Sequence, residues 1–318
     1  MRSDKGTISN DAIKGEVVSI VGQNVIVEAH INSEIKNINC VQTGTIISQS
    51  KHSNLIAAGD IVYFNYEEGL SKIVKVEERK TKFSRISPSN KNKEQIIAAN
   101  IDTLLIFVSV LEPTLNTRFI DRYLVAAKLN NIEPIICVNK LDLSNKKYVM
   151  ELMNPYIKLG INVHCVSVLK NIEIKKLKNI ILNKKTLISG MSGAGKSSFL
   201  NNILGYEAQV VKNISEKTNK GIHTTSFSKR YRIKDDKLQD RGWIIDTPGL
   251  REFGIWDLTK DEIGVIFPDF TDYYFRCKYT SCTHIHEPDC AVIKAVEDGE
   301  IDAERYNSYL NIYDSLED

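Results

Sequence analysis

The sequence predicts an α/β domain on a parallel sheet, preceded by a small all-β barrel and followed by a short helical module built around soft metal ligands. Three observations carry this. Five short apolar strands with no helix occupy the first 82 residues, strand and helix patterns alternate from Ile101 onward, and three cysteines and a histidine crowd positions 277–290. The expected boundaries are 1–82 for the barrel, 83–256 for the α/β domain and 257–318 for the helical module.

The barrel strands are Gly15–Ile20, Gln23–Glu28, Gly44–Ile47, Asp60–Phe64 and Ser71–Val76. Short alternating strands separated by turns must close on themselves to bury one face. Their spacing suits an oligonucleotide-binding barrel and an SH3-like barrel equally. Lys72, Lys75, Arg79, Lys80, Lys82 and Arg85 make the end of this region basic, which leans toward RNA. Ser84–Gln95 is polar throughout and reads as a linker.

Beyond it, Ile101–Val108 reads as a strand, Arg118–Leu129 as a helix, Ile135–Val138 as a strand, Lys146–Leu159 as a helix and Ile161–Val166 as a strand. That succession specifies βαβ units. Ser226–Ile233 and Gly242–Ile245 flank Lys234–Lys237 as a hairpin, and Ala291–Glu297 and Ala303–Leu316 have helical spacing.

Three motifs fall on strand ends, where open α/β sheets bind ligands. Gly190-Met191-Ser192-Gly193-Ala194-Gly195-Lys196-Ser197-Ser198 fits the phosphate-loop pattern between a short apolar strand and a helix. Its backbone N–H groups cradle phosphates, Lys196 bridges β- and γ-oxygens, and Ser197 ligates Mg²⁺. Asn139-Lys140-Leu141-Asp142 follows the strand Ile135–Val138. There Asp142 can accept both the N1–H and the 2-amino hydrogens of guanine, which adenine cannot return. Asn139 ties the segment to the phosphate loop, and the stem of Lys140 lies against the purine. Asp246-Thr247-Pro248-Gly249 follows another apolar strand, with Asp246 holding Mg²⁺ through its water shell and the Gly249 N–H reaching the γ-phosphate.

Familiar GTPases place the phosphate loop first and the Asn-Lys-x-Asp segment last. Here the base reader comes first. A nucleotide site depends on where strand ends lie in space, so rejoining the termini and cutting elsewhere preserves it. The domain is therefore expected to be a circularly permuted P-loop GTPase domain. Thr224 or Thr225 supplies a second hydroxyl to the metal, and the register stays open between them. Leu250 stands where Ras-like enzymes carry a water-orienting glutamine, leaving His223 as the candidate for that task or as a loop-packing residue. Ser167 stands where GTPases place a loop supporting the guanine O6, or is an inert strand-end serine.

The order of these motifs, with Gly221–Thr225, Pro248–Gly254 and the cysteine cluster, resembles the RsgA (YjeQ) family along nearly the whole chain. The resemblance implies an oligonucleotide-binding barrel, GTP hydrolysis stimulated by the small (30S) ribosomal subunit in its late maturation, and partners comprising GTP, GDP and that subunit with its rRNA.

Cys277-x4-Cys282-x-His284-x5-Cys290 places three thiols and an imidazole in a polar stretch, a zinc signature. Four protein ligands close the tetrahedron, so one structural Zn²⁺ is expected. Spacing also admits His286, while the family pattern, Cys-x-His then Glu-Pro-x-Cys, favours His284. Cys40, Cys137 and Cys165 are expected to pack in strands.

A 42% hydrophobic and 26% charged composition suits a globular protein. With a net charge of only +2, RNA contacts must come from local patches such as Lys175–Lys178 or Lys229–Lys234. No apolar run approaches a membrane span, and the first residues lack a secretory apolar core, so a cytoplasmic protein without membrane contact is expected. A monomer is expected beside it, though residues alone leave the oligomeric state open. An ATP-using kinase is disfavoured by Asp142. A non-enzymatic RNA-assembly protein is disfavoured by the intact lysine, serine and aspartate.

Overall fold

The structure, a computed structural model, describes residues 11–47, 53–205, 228–235, 237, 239–247 and 255–316. The chain divides into two compact units. The first comprises Met1–Asp102, Ile180–Ser189 and Leu200–Leu250; the second comprises Thr103–Asn179, Gly190–Phe199 and Arg251–Asp318.

In the first unit, β1 (Ile13–Val21), β2 (Asn24–Ile31), β3 (Glu34–Ile47), β4 (Ile61–Asn65) and β5 (Ser71–Val76) form a closed ring in the order β1-β2-β3-β5-β4 and back to β1. The β3–β5 pairing is parallel; the others are antiparallel. This closure is that of an oligonucleotide-binding barrel, and it settles the alternative that spacing left open. Alternation drives it: Val17, Val25, Val27, Val62, Phe64 and Ile73 all point inward and are fully buried. Asp60 is buried beneath the barrel, where Arg79 donates Nε and Nη2 to its carboxylate, both at 2.7 Å.

The expected linker is instead a hairpin, β6 (Lys82–Ser87) with β7 (Asn90–Ala99). Its polarity misled because cross-strand pairs satisfy it: Lys82 Nζ lies 2.6 Å from Glu94 and Arg85 Nε donates to Gln95 at 2.9 Å. These pairs, with Arg79–Asp60, also occupy half of the basic run that leaned toward RNA.

Three further strands belong to this unit: β11 (Lys185–Gly190, through Ser189), β12 (Lys229–Lys234) and β13 (Asp240–Asp246). β11 and β13 are parallel, while β12 and β13 form the expected hairpin.

In the second unit β8 (Thr103–Ser109), β9 (Glu133–Asn139) and β10 (Asn162–Cys165) lie parallel in the order β10-β9-β8. β8 is buried along its whole length, as a strand covered on both faces must be. Helix α1 (Thr117–Leu129) starts at Asn116, whose side chain caps Phe119 N–H at 3.1 Å. The single helix expected over Lys146–Leu159 is two, α2 (Lys146–Leu152) and α3 (Asn154–Lys158), because Pro155 cannot donate the ladder bond and starts a new helix. Helices α4 (Ile174–Ile181) and α5 (Lys196–Leu204) follow, each beginning in this unit and ending in the first, then α6 (Lys260–Ile266), α7 (Ala291–Glu297) and α8 (Ala303–Asp314). No helix among the described residues is long and apolar enough to cross a membrane.

Candidate functional site

The second unit brings the Asn139–Asp142 segment and the phosphate loop together through one side chain. Asn139, buried at the end of β9, donates Nδ2 to the Ala194 carbonyl at 2.9 Å and accepts the Val168 N–H on Oδ1 at 3.0 Å. One amide thus ties the phosphate loop and the loop after β10 to the strand that leads into Asp142. Glycine is required beside it. Gly195 has φ +99°, and a Cβ there would overlap the Asn139 amide.

Lys140 adopts the left-handed conformation (φ 62°) and its ammonium donates to the Glu112 carbonyl. That turn starts the 3₁₀ segment Leu141–Leu143, anchored by Leu141 N–H to the Val166 carbonyl at 3.0 Å. Asp142 is exposed at its tip and accepts a hydrogen bond from the hydroxyl of the buried Ser167, which in turn accepts the Lys170 N–H at 3.1 Å. The chain itself therefore orients the carboxylate.

The phosphate loop turns from β11 into α5. Lys196 is buried, and its Nζ donates to the carbonyls of Gly190 (2.6 Å) and Met191 (2.9 Å), holding the ammonium inside the loop. Ser192, Gly193, Ser197 and Ser198 are exposed, the last two on the first turn of α5, where free N–H groups and the helix dipole favour an anion.

Asp246 belongs to the first unit and ends β13, beside Ile188 of β11 in register. The buried Thr247 that follows donates Oγ1 to the Ile188 carbonyl at 3.1 Å and lies 3.2 Å from the Ser189 hydroxyl. Burial and the Asp246 carboxylate push the Tyr231 phenol up to about 12, so it stays protonated. His223, Thr224, Thr225 and Gly249, with Gly221 and Leu250, lie outside the described residues.

In the second unit Cys277, Cys282, His284 and Cys290 place their ligand atoms within 4.8 Å of one another. Cys277 Sγ lies 3.9 Å from Cys290 Sγ and 3.6 Å from His284 Nδ1, and Cys290 Sγ lies 3.4 Å from that nitrogen. A tetrahedral zinc with bonds of about 2.3 Å to sulfur and about 2.0 Å to nitrogen sets such atoms about 3.8 Å and about 3.5 Å apart. The donor set therefore fits zinc in both chemistry and spacing. His284, not His286, joins the cluster: its ring is buried while His286 is exposed. The ring packs edge-on against Phe270 and against Gly264 of α6, whose backbone it also bonds. Burial lowers the His284 pKa, which favours the neutral imidazole that ligates. Burial also pushes the Cys282 thiol up to about 12.

Two sets of residues here were not assigned from the sequence. Glu287 organises the knuckle, accepting from Thr283 N–H (2.8 Å), Thr283 Oγ1 (2.5 Å) and Ile285 N–H (3.1 Å). Burial alone would raise its carboxyl, but these bonds outweigh it and bring it to about 2. The Glu-Pro-x-Cys string was the available signal. Arg305 of α8 is buried between Asp121 of α1 and Asp269, with the Tyr156 hydroxyl also on Asp121 at 2.8 Å. No local signal marks that contact.

The fold and its loops define a circularly permuted P-loop GTPase. The crystal structure of YloQ, a circularly permuted GTPase, superposes with a TM-score of 0.70 over 99% of this chain and 98% of that one, at 24% identity. That of YjeQ from Thermotoga maritima gives 0.72 at 30% identity, covering 96% and 98%. The RsgA GTPase family model matches residues 76–256. The small ribosomal subunit biogenesis GTPase RsgA of Chlorobaculum parvum is 36% identical over 318 residues, 97% of this chain and 100% of the relative. The RsgA protein of Phocaeicola vulgatus is 35% identical over 96% and 98%. The chain belongs to the RsgA GTPase family, enzymes that hydrolyse GTP.

Proposed function

We propose that this GTPase acts in late maturation of the small ribosomal subunit, binding its rRNA with GTP and leaving after hydrolysis. The observation that carries the reading is the full-length match to relatives named for that process, on a chain whose Asn139 joins a guanine reader to a phosphate loop. On this reading the barrel spans 1–82, the permuted GTPase domain 83–256 and the metal module 257–318, in a monomer working in the cytoplasm.

Asp142 reads guanine, Lys140 covers the purine, and the Gly190–Ser198 amides with Lys196 hold the phosphates. Mg²⁺ carried in with GTP would supply charge neutralisation on the phosphates. Ser197 and Asp246 are the residues to hold it, with Thr224 or Thr225 as the further hydroxyl. His223 orients water in place of the missing glutamine, and the Gly249 N–H meets the γ-phosphate. Cys277, Cys282, His284 and Cys290 would hold one structural Zn²⁺. Such an ion would tie the loop between α6 and α7 to the start of α7, where Cys290 caps the helix.

Charge assigns the phosphate contacts. Residues 103–254 hold 24 Lys and Arg against 13 Asp and Glu, whereas residues 255–318 hold five against 15. The metal module is therefore a poor partner for RNA phosphates; on this reading the oligonucleotide-binding barrel holds the RNA and the middle of the chain adds phosphate contacts. Cosedimentation with purified small subunits tests the function. The full chain pellets with them in a non-hydrolysable GTP analogue and stays in the supernatant in GDP. Equal pelleting in both, or none, overturns the reading.

A further inference from the structure

The first unit holds a buried charge hub that the hydrolysis chemistry leaves without a role. Arg230 on β12 has a side chain only 2% exposed; its Nη1 lies 2.8 Å from Glu16 on β1 and its Nη2 pairs with Glu28 on β2. Arg232, on the same face of β12, adds Nη2 to Glu28 at 2.6 Å and Nε at 2.9 Å. Lys185 at the start of β11 reaches Glu16 at 3.0 Å. Lys185 and Arg230 both lie over the Trp243 ring on β13, 5.0 and 5.3 Å from its centroid, and that ring abuts Gly59 beneath the barrel. The backbone joins as well, since β1 pairs with β12 through Ser19 and Lys229.

Stability alone is a weak reason for such a hub, because well-packed apolar side chains hold two elements as firmly without desolvating the Arg230 guanidinium and its carboxylate partners. What the forked guanidinium pairs add is register. A one-residue slip of β12 would turn Arg230 and Arg232 to the opposite face. The strands so fixed are the ones that matter to the nucleotide. Lys229 opens β12 four residues after Thr225, and β13 ends on Asp246. We propose that Arg230, with Glu16 and Glu28, is a positioning residue that couples the barrel to β12 and β13, so that RNA held by the barrel sets the rate of GTP hydrolysis. The identity of the barrel's ligand rests on the function proposed above; the hub itself does not.

The test uses the full chain carrying Trp256→Phe, which leaves Trp243 as the sole tryptophan. Exchanging GDP for a non-hydrolysable GTP analogue shifts Trp243 emission, and Glu28→Gln removes most of that shift. In turnover assays, Glu28→Gln and Arg230→Lys each lower the subunit-stimulated kcat about tenfold while KM for GTP stays within about twofold, a split that a merely structural role would not produce. An emission that ignores the nucleotide in the parent chain overturns the proposal, as does full stimulation in a folded variant. Where one variant fails to fold, the other and the parent chain's emission decide. A parent chain that small subunits do not stimulate refutes the functional reading instead, and the emission measurement still judges the hub.

Discussion

Replacing Arg305 by methionine removes the guanidinium that pairs with both Asp121 and Asp269. Its side chain is 2% exposed, between Asp121 at 1% and Asp269 at 7%, and its guanidinium stacks on Tyr156 and Phe267 at 4.7 and 5.1 Å. Methionine keeps much of the ring contact, so the loss is chiefly electrostatic. Two buried carboxylates are left facing each other's charge, and breaking such a pair costs about 3–5 kcal/mol. At about 2–4 °C per kcal/mol for a chain of this size, the melting temperature of Arg305→Met falls by roughly 6–20 °C in a circular-dichroism melt. Removing all three charges together (Asp121→Leu, Asp269→Leu, Arg305→Met) restores most of that loss, because no buried charge is then uncompensated. A fall below about 2 °C in the single variant refutes the reasoning, as does a triple variant melting lower than the single one.

Other outcomes follow from the same geometry. Asp142→Asn exchanges an acceptor for a donor against the guanine N1–H, losing a charge-assisted bond worth about 1.5–3 kcal/mol and setting two donors face to face; GDP affinity measured by calorimetry falls at least about tenfold. Gly195→Ala forces a Cβ into the Asn139 amide at φ +99° and abolishes nucleotide binding while the metal cluster keeps its stoichiometry, read by metal analysis beside the titration. Chelation, or Cys290→Ser, melts the segment around α7 and exposes it to protease within 255–316, and added Zn²⁺ protects the wild-type chain again. The Glu287 carboxyl sits at about 2 when folded and 4.5 when free, so its contribution is whole above pH 4.5 and disappears as the pH falls toward 2. Glu287→Gln therefore melts below wild type at neutral pH, and the gap closes across that window.

What could be read from the chain alone was local chemistry. The phosphate loop, the Asn139–Asp142 segment and the Cys/His knuckle are short strings whose residue types and spacing state their geometry, so permutation did not hide them. The barrel was legible from alternation, but its closure depends on β3 meeting β5 in parallel, which no spacing reveals. The hairpin of β6 and β7 was invisible because Lys82–Glu94 and Arg85–Gln95 satisfy each other across strands and make a strand look like a linker. Pro155 split a helix whose apolar period ran straight through it. The two charge hubs were beyond reach for a different reason. Arg305 and Asp121 are 184 positions apart, and Arg230 and Glu28 are 202 apart, so each side chain alone reads as an ordinary surface charge. Ser167 carried only a faint signal, although its hydroxyl is what orients Asp142.

Guanine-nucleotide turnover stimulated by small subunits is the activity on which everything else depends. Phosphate release by the purified chain, measured with GTP and with ATP and each with and without small ribosomal subunits, is predicted to be slow with GTP alone, much faster once subunits are added, and absent with ATP throughout. Release from ATP at a rate matching GTP, or a GTP rate that subunits leave unchanged, contradicts it.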